Sequence, residues 1–303
     1  MIDGLRYRPA PYQPTSRWSR LLPLVRLEFG AIFRTKWGVA IFLATLLPSI
    51  VRLVILLIWT GALALGGGGP AGAGMRKMGE RPPEQVQELL PDHVGFYTEG
   101  VVAPGWGLVM LLVLTSLVTA RAIAKDRATN ALELYWTRGI SPLGYFLGKG
   151  FGCFLVTGAM TIAAPFVLWV TGVFLAEDWS FLSKTWGFMP GVVLGLTVFT
   201  AALTTICILL SAIAGSPNLA AILWCLLIAG SEAFGQIIGN VLKFPALGAS
   251  VSVFDAAGTL ARACAGNAER DANPMGAAIS LLTIIAVLSL LLRRRLRLSE
   301  AVA

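Results

Sequence analysis

Residues 125–149, KDRATNALELYWTRGISPLGYFLGK, place charges, aromatic side chains and a Ser-Pro turn between two long apolar runs. Charged groups and unpaired backbone groups are costly to bury in hydrocarbon. The chain is therefore expected to leave the apolar phase here and to re-enter it near Lys149. This interruption predicts a polar segment between two membrane-spanning helices.

The composition of the whole chain supports that interpretation. Of 303 residues, 56% are hydrophobic and only 13% are charged, and the mean hydropathy is +0.75. Soluble domains carry about a quarter charged residues. The chain is thus predicted to be an all-α integral membrane protein. Its net charge of +8 lies at the ends of the apolar runs, where it indicates membrane topology and not nucleic-acid binding.

Six apolar runs have the length of about 20 residues that a spanning helix needs. They are predicted at about 37–65, 104–122, 150–175, 188–213, 218–242 and 274–292. If alternate loops lie inside, sixteen Lys and Arg residues are cytoplasmic and seven are external. This asymmetry predicts that both termini are cytoplasmic. Residues 1–36 are then a tail with an amphipathic interfacial helix, 37–292 a six-helix domain, and 293–303 a basic tail. Between the spans, 66–100 is predicted to be a Gly/Pro-rich loop, and 243–273 an external loop with a short helix that either dips into the membrane or is an ordinary loop helix.

Two short helices are predicted inside residues 125–149. Thr129 or Asn130 can cap the first one at its N-terminus. Its exposed face would carry Leu132, Tyr135 and Trp136, spaced i, i+3 and i+4. Such a face requires a partner, either lipid headgroups or another protein.

The start of the third span has its own signals. Ser141 followed by Pro142 predicts an N-cap and the first helical position. Gly144, Gly148 and Gly152 form a stripe of small residues that is typical of close helix packing. The run GYFLGKG superficially resembles a phosphate-binding loop, but it lacks a Ser or Thr after its lysine and begins a span. No P-loop ATPase activity is therefore expected of this chain.

Polar residues within the spans are functional candidates, because they are costly in a membrane. Arg52 lies near the middle of the first span, and Glu232, Gln236 and Asn240 share one face of the fifth. Two alternatives remain open for them, an ion pair between Arg52 and Glu232 or a lining of the translocation pathway. The fourth span adds Thr197, Thr204 and Ser211 at heptad spacing, a weaker signal.

Residues 125–149 resemble the signature of ABC-2-type permeases, the membrane subunits of ATP-binding cassette exporters. The matching residues are Asp126, Arg127, Leu132, Glu133, Leu134, Ser141, Gly148 and Lys149. Asn130 and Ala131 stand where the family commonly has Gly-Thr, and Gly139 stands where Pro is usual. RLEFGAIFRTKWG, residues 26–38, is similar to the family's N-terminal interfacial helix through Glu28, Arg34 and Lys36.

The resemblance implies a permease subunit that moves an unidentified substrate with ATP hydrolysed by a separate ATPase subunit. ATP and Mg would bind that partner, and this chain would hold no cofactor or metal. A second permease copy, identical or different, would complete the complex in a bacterial cytoplasmic membrane. The coupling interface with the ATPase would comprise Asp126, Arg127, Leu132, Glu133, Tyr135, Trp136 and Arg138.

Other interpretations of the same residues stay open. Tyr135 and Trp136 can serve merely as headgroup anchors. A stand-alone transporter driven by ions through Arg52 and Glu232 is the alternative function, although such a carrier has no need of a polar helix at 127–137. A membrane enzyme is disfavoured, because no catalytic constellation is visible in the sequence.

Overall fold

The computed structural model describes residues 17–60, 90–103, 105–132, 135, 141–176, 179–267 and 272–300. Within these ranges every regular element is a helix and no strand occurs. The α-helices are Arg17–Phe33, Lys36–Thr45, Leu47–Trp59, Val94–Val102, Trp106–Leu117, Ala122–Ala128, Pro142–Gly158, Ala164–Leu175, Ser180–Thr185, Met189–Ile213, Pro217–Gln236, Pro245–Val251, Val253–Ala265 and Pro274–Glu300. Two π-helical segments, Ala159–Ala163 and Ile237–Val241, continue the helices before them.

Five helical stretches of the described chain are long and apolar enough to cross a membrane. A sixth is the pair Lys36–Thr45 and Leu47–Trp59, if these two helices form one span bent by 44°. The pair is called span 1 here, and spans 2 to 6 are Trp106–Ala128, Gly144–Leu175, Met189–Ile213, Pro217–Val241 and Pro274–Leu292. The prediction of an all-helical, multi-pass architecture is consistent with this arrangement.

The bend in span 1 follows from a proline. Pro48 lies at the start of the second half, and a proline in a helix removes the hydrogen bond to the carbonyl four residues earlier. That carbonyl belongs to Ala44, and it accepts a hydrogen bond of 3.2 Å from Trp106 Nε1 at the start of span 2. The bend therefore connects the two spans through a polar contact.

The first helix, Arg17–Phe33, packs along span 3. Its buried face is formed by Leu24, Glu28 and Ile32, each four residues after the last. Leu22, Phe29 and Phe33 are exposed on the opposite side. The unexpected member is Glu28, a carboxylate on the buried face.

The bundle has two ends, named here after what lies there. The junction end contains the first helix, the end of span 2 and the start of span 3. The hairpin end contains the helices Pro245–Val251 and Val253–Ala265, which we call the hairpin. The predicted short helix within residues 243–273 is thus confirmed.

The hairpin packs closely on span 4 through two glycines. A Cβ atom at Gly191 would lie 2.7 Å from the carbonyl oxygen of Cys264, and one at Gly195 would lie 3.1 Å from Ala261 Cα. Both distances are shorter than ordinary van der Waals contact, so only glycine permits this approach. Span 4 and the hairpin are therefore packed backbone against backbone.

Part of the segment predicted as a loop, 66–100, is a helix. Val94–Val102 begins with His93, whose Nδ1 accepts a hydrogen bond from Gly95 N. Glu99 binds Arg262 of the hairpin with two hydrogen bonds of 2.7 and 2.9 Å. The loop prediction was wrong here because a segment of nine residues that includes Thr98 and Glu99 is too short to indicate a buried helix by its pattern.

Tyr97 anchors this helix in the protein interior. It is 1% exposed, and its hydroxyl donates a hydrogen bond of 2.9 Å to the carbonyl of Pro91. Burial, with a smaller contribution from the Asp92 carboxylate, raises the pKa of Tyr97 well above its ordinary value. The phenol therefore stays protonated and remains a donor.

The glycine contact between span 4 and the hairpin is testable with a matched pair of alanine variants. Gly195→Ala is expected to lower the free energy of unfolding by about 1–3 kcal/mol, because the new methyl group overlaps the hairpin backbone. Gly230→Ala in span 5, where nothing lies within 4 Å, is expected to leave it unchanged or raise it by up to about 1 kcal/mol. Thermal unfolding in one detergent measures both. Equal stabilities of the two variants would contradict the close packing.

Candidate functional site

A buried charged cluster lies at the junction end and is called the buried junction. It consists of Glu28, Asp126, Tyr145 and Lys149. Lys149 is only 1% exposed, and its Nζ donates to Glu28 Oε1 and lies 2.9 Å from Asp126 Oδ2. Tyr145 donates its hydroxyl to the same Asp126 oxygen at 2.8 Å. One ammonium group thus holds two carboxylates from separate parts of the chain.

Three helices supply these side chains. Glu28 comes from the first helix, Asp126 from Ala122–Ala128 at the end of span 2, and the other two from the first turns of span 3. Tyr145 and Lys149 are four residues apart and lie on one face of span 3. The junction therefore connects the first helix, span 2 and span 3 at one point.

The beginning of span 3 is fixed by its cap. Ser141 Oγ accepts a hydrogen bond of 3.1 Å from Gly144 N, and Pro142 occupies the first helical turn. The predicted cap and proline position are confirmed. Because the cap sets where the helix starts, it also sets the face on which Tyr145 and Lys149 lie.

Glycines of span 3 allow the first helix to come close enough for the ion pair. A Cβ atom at Gly152 would lie 2.9 Å from Glu28 Cβ and 3.2 Å from the carbonyl oxygen of Val25. Gly148 is buried as well, and Gly144 is half-buried. Gly152 thus lies about one turn after Lys149 in span 3, where this span contacts the first helix.

Span 4 holds the helix Ala122–Ala128 from the other side. Ser211 Oγ accepts hydrogen bonds of 3.1 Å from Ile123 N and Ala124 N, which are unpaired donors in the first turn of that helix. Arg127 Nη1 donates to the carbonyl of Ala214, 3.3 Å away, at the end of span 4. The helix that carries Asp126 is therefore attached to span 4 at both of its ends.

The other two residues at heptad spacing, Thr197 and Thr204, form different hydrogen bonds from Ser211. Thr197 and Thr204 each donate to a carbonyl of their own helix, four residues earlier, at 2.7 Å. This agrees with the weak signal assigned to them. Only Ser211 binds another element.

Apolar side chains surround the charges of the junction. Leu24, Ile123, Cys153, Ile208 and Ala212 are buried in one cluster with Tyr145. Exclusion of water strengthens the attraction between Lys149 and the carboxylates, but it also makes any single unpaired charge costly. The junction is therefore stable only while its charged members stay together.

The segment after Ala128 begins differently from the prediction. Thr129 and Asn130 end the helix Ala122–Ala128: Thr129 Oγ1 donates back to the carbonyl of Lys125, and Asn130 has the left-handed φ of 53°. An N-cap has an extended backbone, so Asn130 is not the cap of the next helix. The left-handed conformation explains why an asparagine is tolerated where glycine is usual.

Two predicted coupling residues of this segment contact the junction. Leu132 and Tyr135 are half-buried and pack against the apolar cluster. The rings of Tyr135 and Tyr145 lie with centroids 5.3 Å apart and an interplanar angle of 35°. Glu133, Trp136 and Arg138 lie outside the described residues. A displacement of Tyr135 would therefore act directly on Tyr145, whose hydroxyl binds Asp126.

The remaining residues assigned to the interfacial helix are at its far end. Arg34 and Lys36 are exposed where the first helix turns into span 1. They take no part in the buried junction. Glu28 is the member of this group that the fold brings to the site.

Arg52 and Glu232 make their hydrogen bonds with different elements. Arg52 Nη1 lies 3.3 Å from the carbonyl of Gly95, and its guanidinium carbon is 5.4 Å from the centroid of the Phe96 ring. Glu232 accepts a hydrogen bond from Ser252 Oγ at the start of the second hairpin helix. The choice between an ion pair and a pathway lining stays a prediction.

Gln236 and Asn240 are exposed on the surface of span 5, while Glu232 is half-buried. The change to π-helix at Ile237–Val241 turns Asn240 away from the position it would have in a regular α-helix. The predicted polar face is therefore divided: its acid contacts the hairpin and its two amides point outward.

Sequence reasoning missed two contributors to the junction, Tyr145 and the bonding role of Ser211. Tyr145 sits one turn before Lys149, a spacing that places both on one helix face and was visible in the sequence. The sequence contained no sign that Glu28 and Asp126, almost a hundred residues apart, meet at Lys149. That contact depends on how the helices pack.

Comparisons with known proteins add no identification. No family model matches the chain, and no curated protein or solved structure matches it.

The buried junction makes a stability prediction. Lys149→Met leaves two carboxylates without a counter-charge and is expected to lower the free energy of unfolding by about 3–5 kcal/mol. Lys36→Met, at an exposed lysine outside the junction, is expected to change it by less than about 0.5 kcal/mol. Thermal unfolding in detergent compares the two. A Lys149→Met protein as stable as wild type would mean that the cluster does not hold the helices together.

Proposed function

We propose that this chain is the membrane-spanning permease subunit of an ABC-2-type exporter, working with a separate ATPase subunit. Two permease copies and two ATPases would form the complex in a bacterial cytoplasmic membrane, with the junction end and both termini on the cytoplasmic side. ATP and Mg would be bound by the ATPase. The substrate class remains to be identified.

The observation that supports the proposal best is the position of the buried junction beside Leu132 and Tyr135 of the segment 127–137. These are the residues whose resemblance to the family implies contact with the motor. Tyr135 from this segment packs on Tyr145, which binds Asp126, which in turn binds Lys149. A motor that pushes on the segment would thus act on three helices at once.

The physical chemistry of the junction makes it suited to transmit such a push. Separating Lys149 from Glu28 or Asp126 would leave an unpaired charge in an apolar cluster, at a cost of several kcal/mol. The three helices are therefore expected to move together instead of sliding past one another. The bonds from Ser211 and Arg127 extend this coupling to span 4, which packs on the hairpin at the other end.

In this mechanism the polar residues within the spans have two roles, the lining of the pathway and contact with a second permease copy. Arg52 and Glu232 both contact elements of the hairpin end, where a substrate would leave the protein. Gln236 and Asn240 face outward from span 5, and a second permease copy would shield them from lipid. Burial of amides against protein avoids the cost of placing them in hydrocarbon.

Affinity purification from the native membrane tests the proposal. We expect an ATPase subunit to co-purify with the wild-type chain, and to be lost with Glu133→Arg, because the reversed charge would be repelled at the docking site. Trp136→Ala is expected to weaken recovery strongly. The matched control is Trp179→Ala, at a tryptophan that is 80% exposed at the hairpin end, where recovery should be unchanged.

A different result would favour the alternative function. Folded protein that never brings down an ATPase would contradict the proposal and favour an ion-driven carrier that uses Arg52 and Glu232. Loss of the ATPase in the Trp179→Ala control as well would place the interface elsewhere.

A further inference from the structure

A lateral groove opens on the side of the bundle between span 1 and span 3. Its volume is about 310 Å³. Its floor includes Met160 and Leu168, which are 5% and 4% exposed, and its rim includes Ile50 and Val167, which are 47% and 60% exposed. The groove is thus an open depression in the apolar surface, with a buried floor.

Two helix irregularities create the groove. Span 1 bends by 44° between Thr45 and Leu47, and Leu46 at the bend lines the groove. Opposite lies the π-helical segment Ala159–Ala163 of span 3. The small side chains of Ala159, Ala163 and Ala164 leave the space between the two spans unfilled.

The groove lies along the second half of span 3. That span runs from Gly144 to Leu175, and its lining residues lie between Ala159 and Thr171. The groove is therefore on the part of the membrane-spanning surface that is nearer the hairpin end.

The chemistry of the lining selects an apolar occupant. None of its residues is charged, and the Thr171 hydroxyl already donates to the carbonyl of Val167 at 2.8 Å. Apolar cavities of about 150 Å³ stay dry and take up hydrocarbon, and this groove is larger. A dry void of this size would forfeit dispersion contacts along all of its walls.

A second copy of the chain is a less suitable occupant than lipid. Spans 5 and 6 are the least buried of the candidate spans, and span 5 exposes the amides of Gln236 and Asn240. Those amides gain from a protein neighbour, whereas the groove is lined by apolar side chains apart from the hydroxyls of Ser49 and Thr171. The exposed amides therefore favour span 5 as the surface that contacts a second copy, and the apolar lining favours lipid in the groove.

We propose that this groove binds one acyl chain of a membrane phospholipid, held between the bend of span 1 and the π-helical segment of span 3. The headgroup stays at the membrane surface near the hairpin end. The bound chain fills the depression and supports the two irregular helix segments. This inference depends only on the chain lying in a bilayer, so it is independent of the ATPase partner.

Photolabelling tests the site. The full-length protein is reconstituted with a phosphatidylcholine that carries a diazirine in one acyl chain, irradiated and digested, and labelled peptides are identified by mass spectrometry. We expect residues 42–53 and 159–171 to be labelled several-fold more than residues 282–290 of span 6, which include Leu282 and Leu290, exposed at 65% and 58%. Labelling that is even over all exposed spans would overturn the proposal.

Variants make the test specific. Ala163→Phe fills the groove and is expected to reduce labelling of both groove segments several-fold, while Ala286→Phe, at an exposed alanine of span 6, leaves it unchanged. Ala163→Leu replaces the phenylalanine variant if that protein does not fold. Undiminished labelling in a folded groove variant would refute the site.

The occupant is checked separately. A photoreactive amino acid at position 50, on the rim, is expected to link to lipid. Linkage to a second copy of the chain instead would show that protein covers the groove, and would overturn the lipid assignment.

Discussion

The packing at one end of this bundle depends on one buried ammonium group. Lys149 is almost fully removed from water, and its ammonium group forms ion pairs with two carboxylates from different helices. A lone lysine at this position would be strongly destabilising, and so would either carboxylate without it. The three helices are consequently expected to meet at a fixed point, and the local cap at Ser141 and the close approach at Gly152 are compatible with that contact.

Span 4 connects the junction end of the bundle to the hairpin end. At the junction end Ser211 satisfies two backbone donors of the helix that presents Asp126. At the hairpin end Gly191 and Gly195 place its backbone against the hairpin. Between these two attachments Met189–Ile213 is one continuous α-helix. A displacement at the junction end is therefore expected to be transmitted along this helix to the hairpin.

Spans 1 and 3 depart from regular α-helix, and their irregular segments shape the surface of the bundle. Pro48 bends span 1, because it has no N–H to donate to the carbonyl of Ala44. Trp106 Nε1 donates a hydrogen bond to that carbonyl instead. The π-helical segment of span 3 faces that bend. Neither irregularity includes a residue of the junction, whose span 3 members, Tyr145 and Lys149, lie before the π-helical segment. The molecule thus separates a rigid charged end from a more irregular apolar flank.

The sequence by itself determined the class of the protein and most of its helices, because a run of about twenty apolar residues has few stable alternatives to a spanning helix. It also determined local features that depend on neighbouring residues, such as the Ser141 cap and the amphipathic first helix. Only the tertiary structure decided that Glu28 and Asp126 share Lys149, that Asn130 ends a helix instead of starting one, and that Arg52 and Glu232 contact different elements. Those outcomes depend on contacts between residues far apart in the chain, and the spacing of side chains along one helix contains no information about which neighbour that helix will meet.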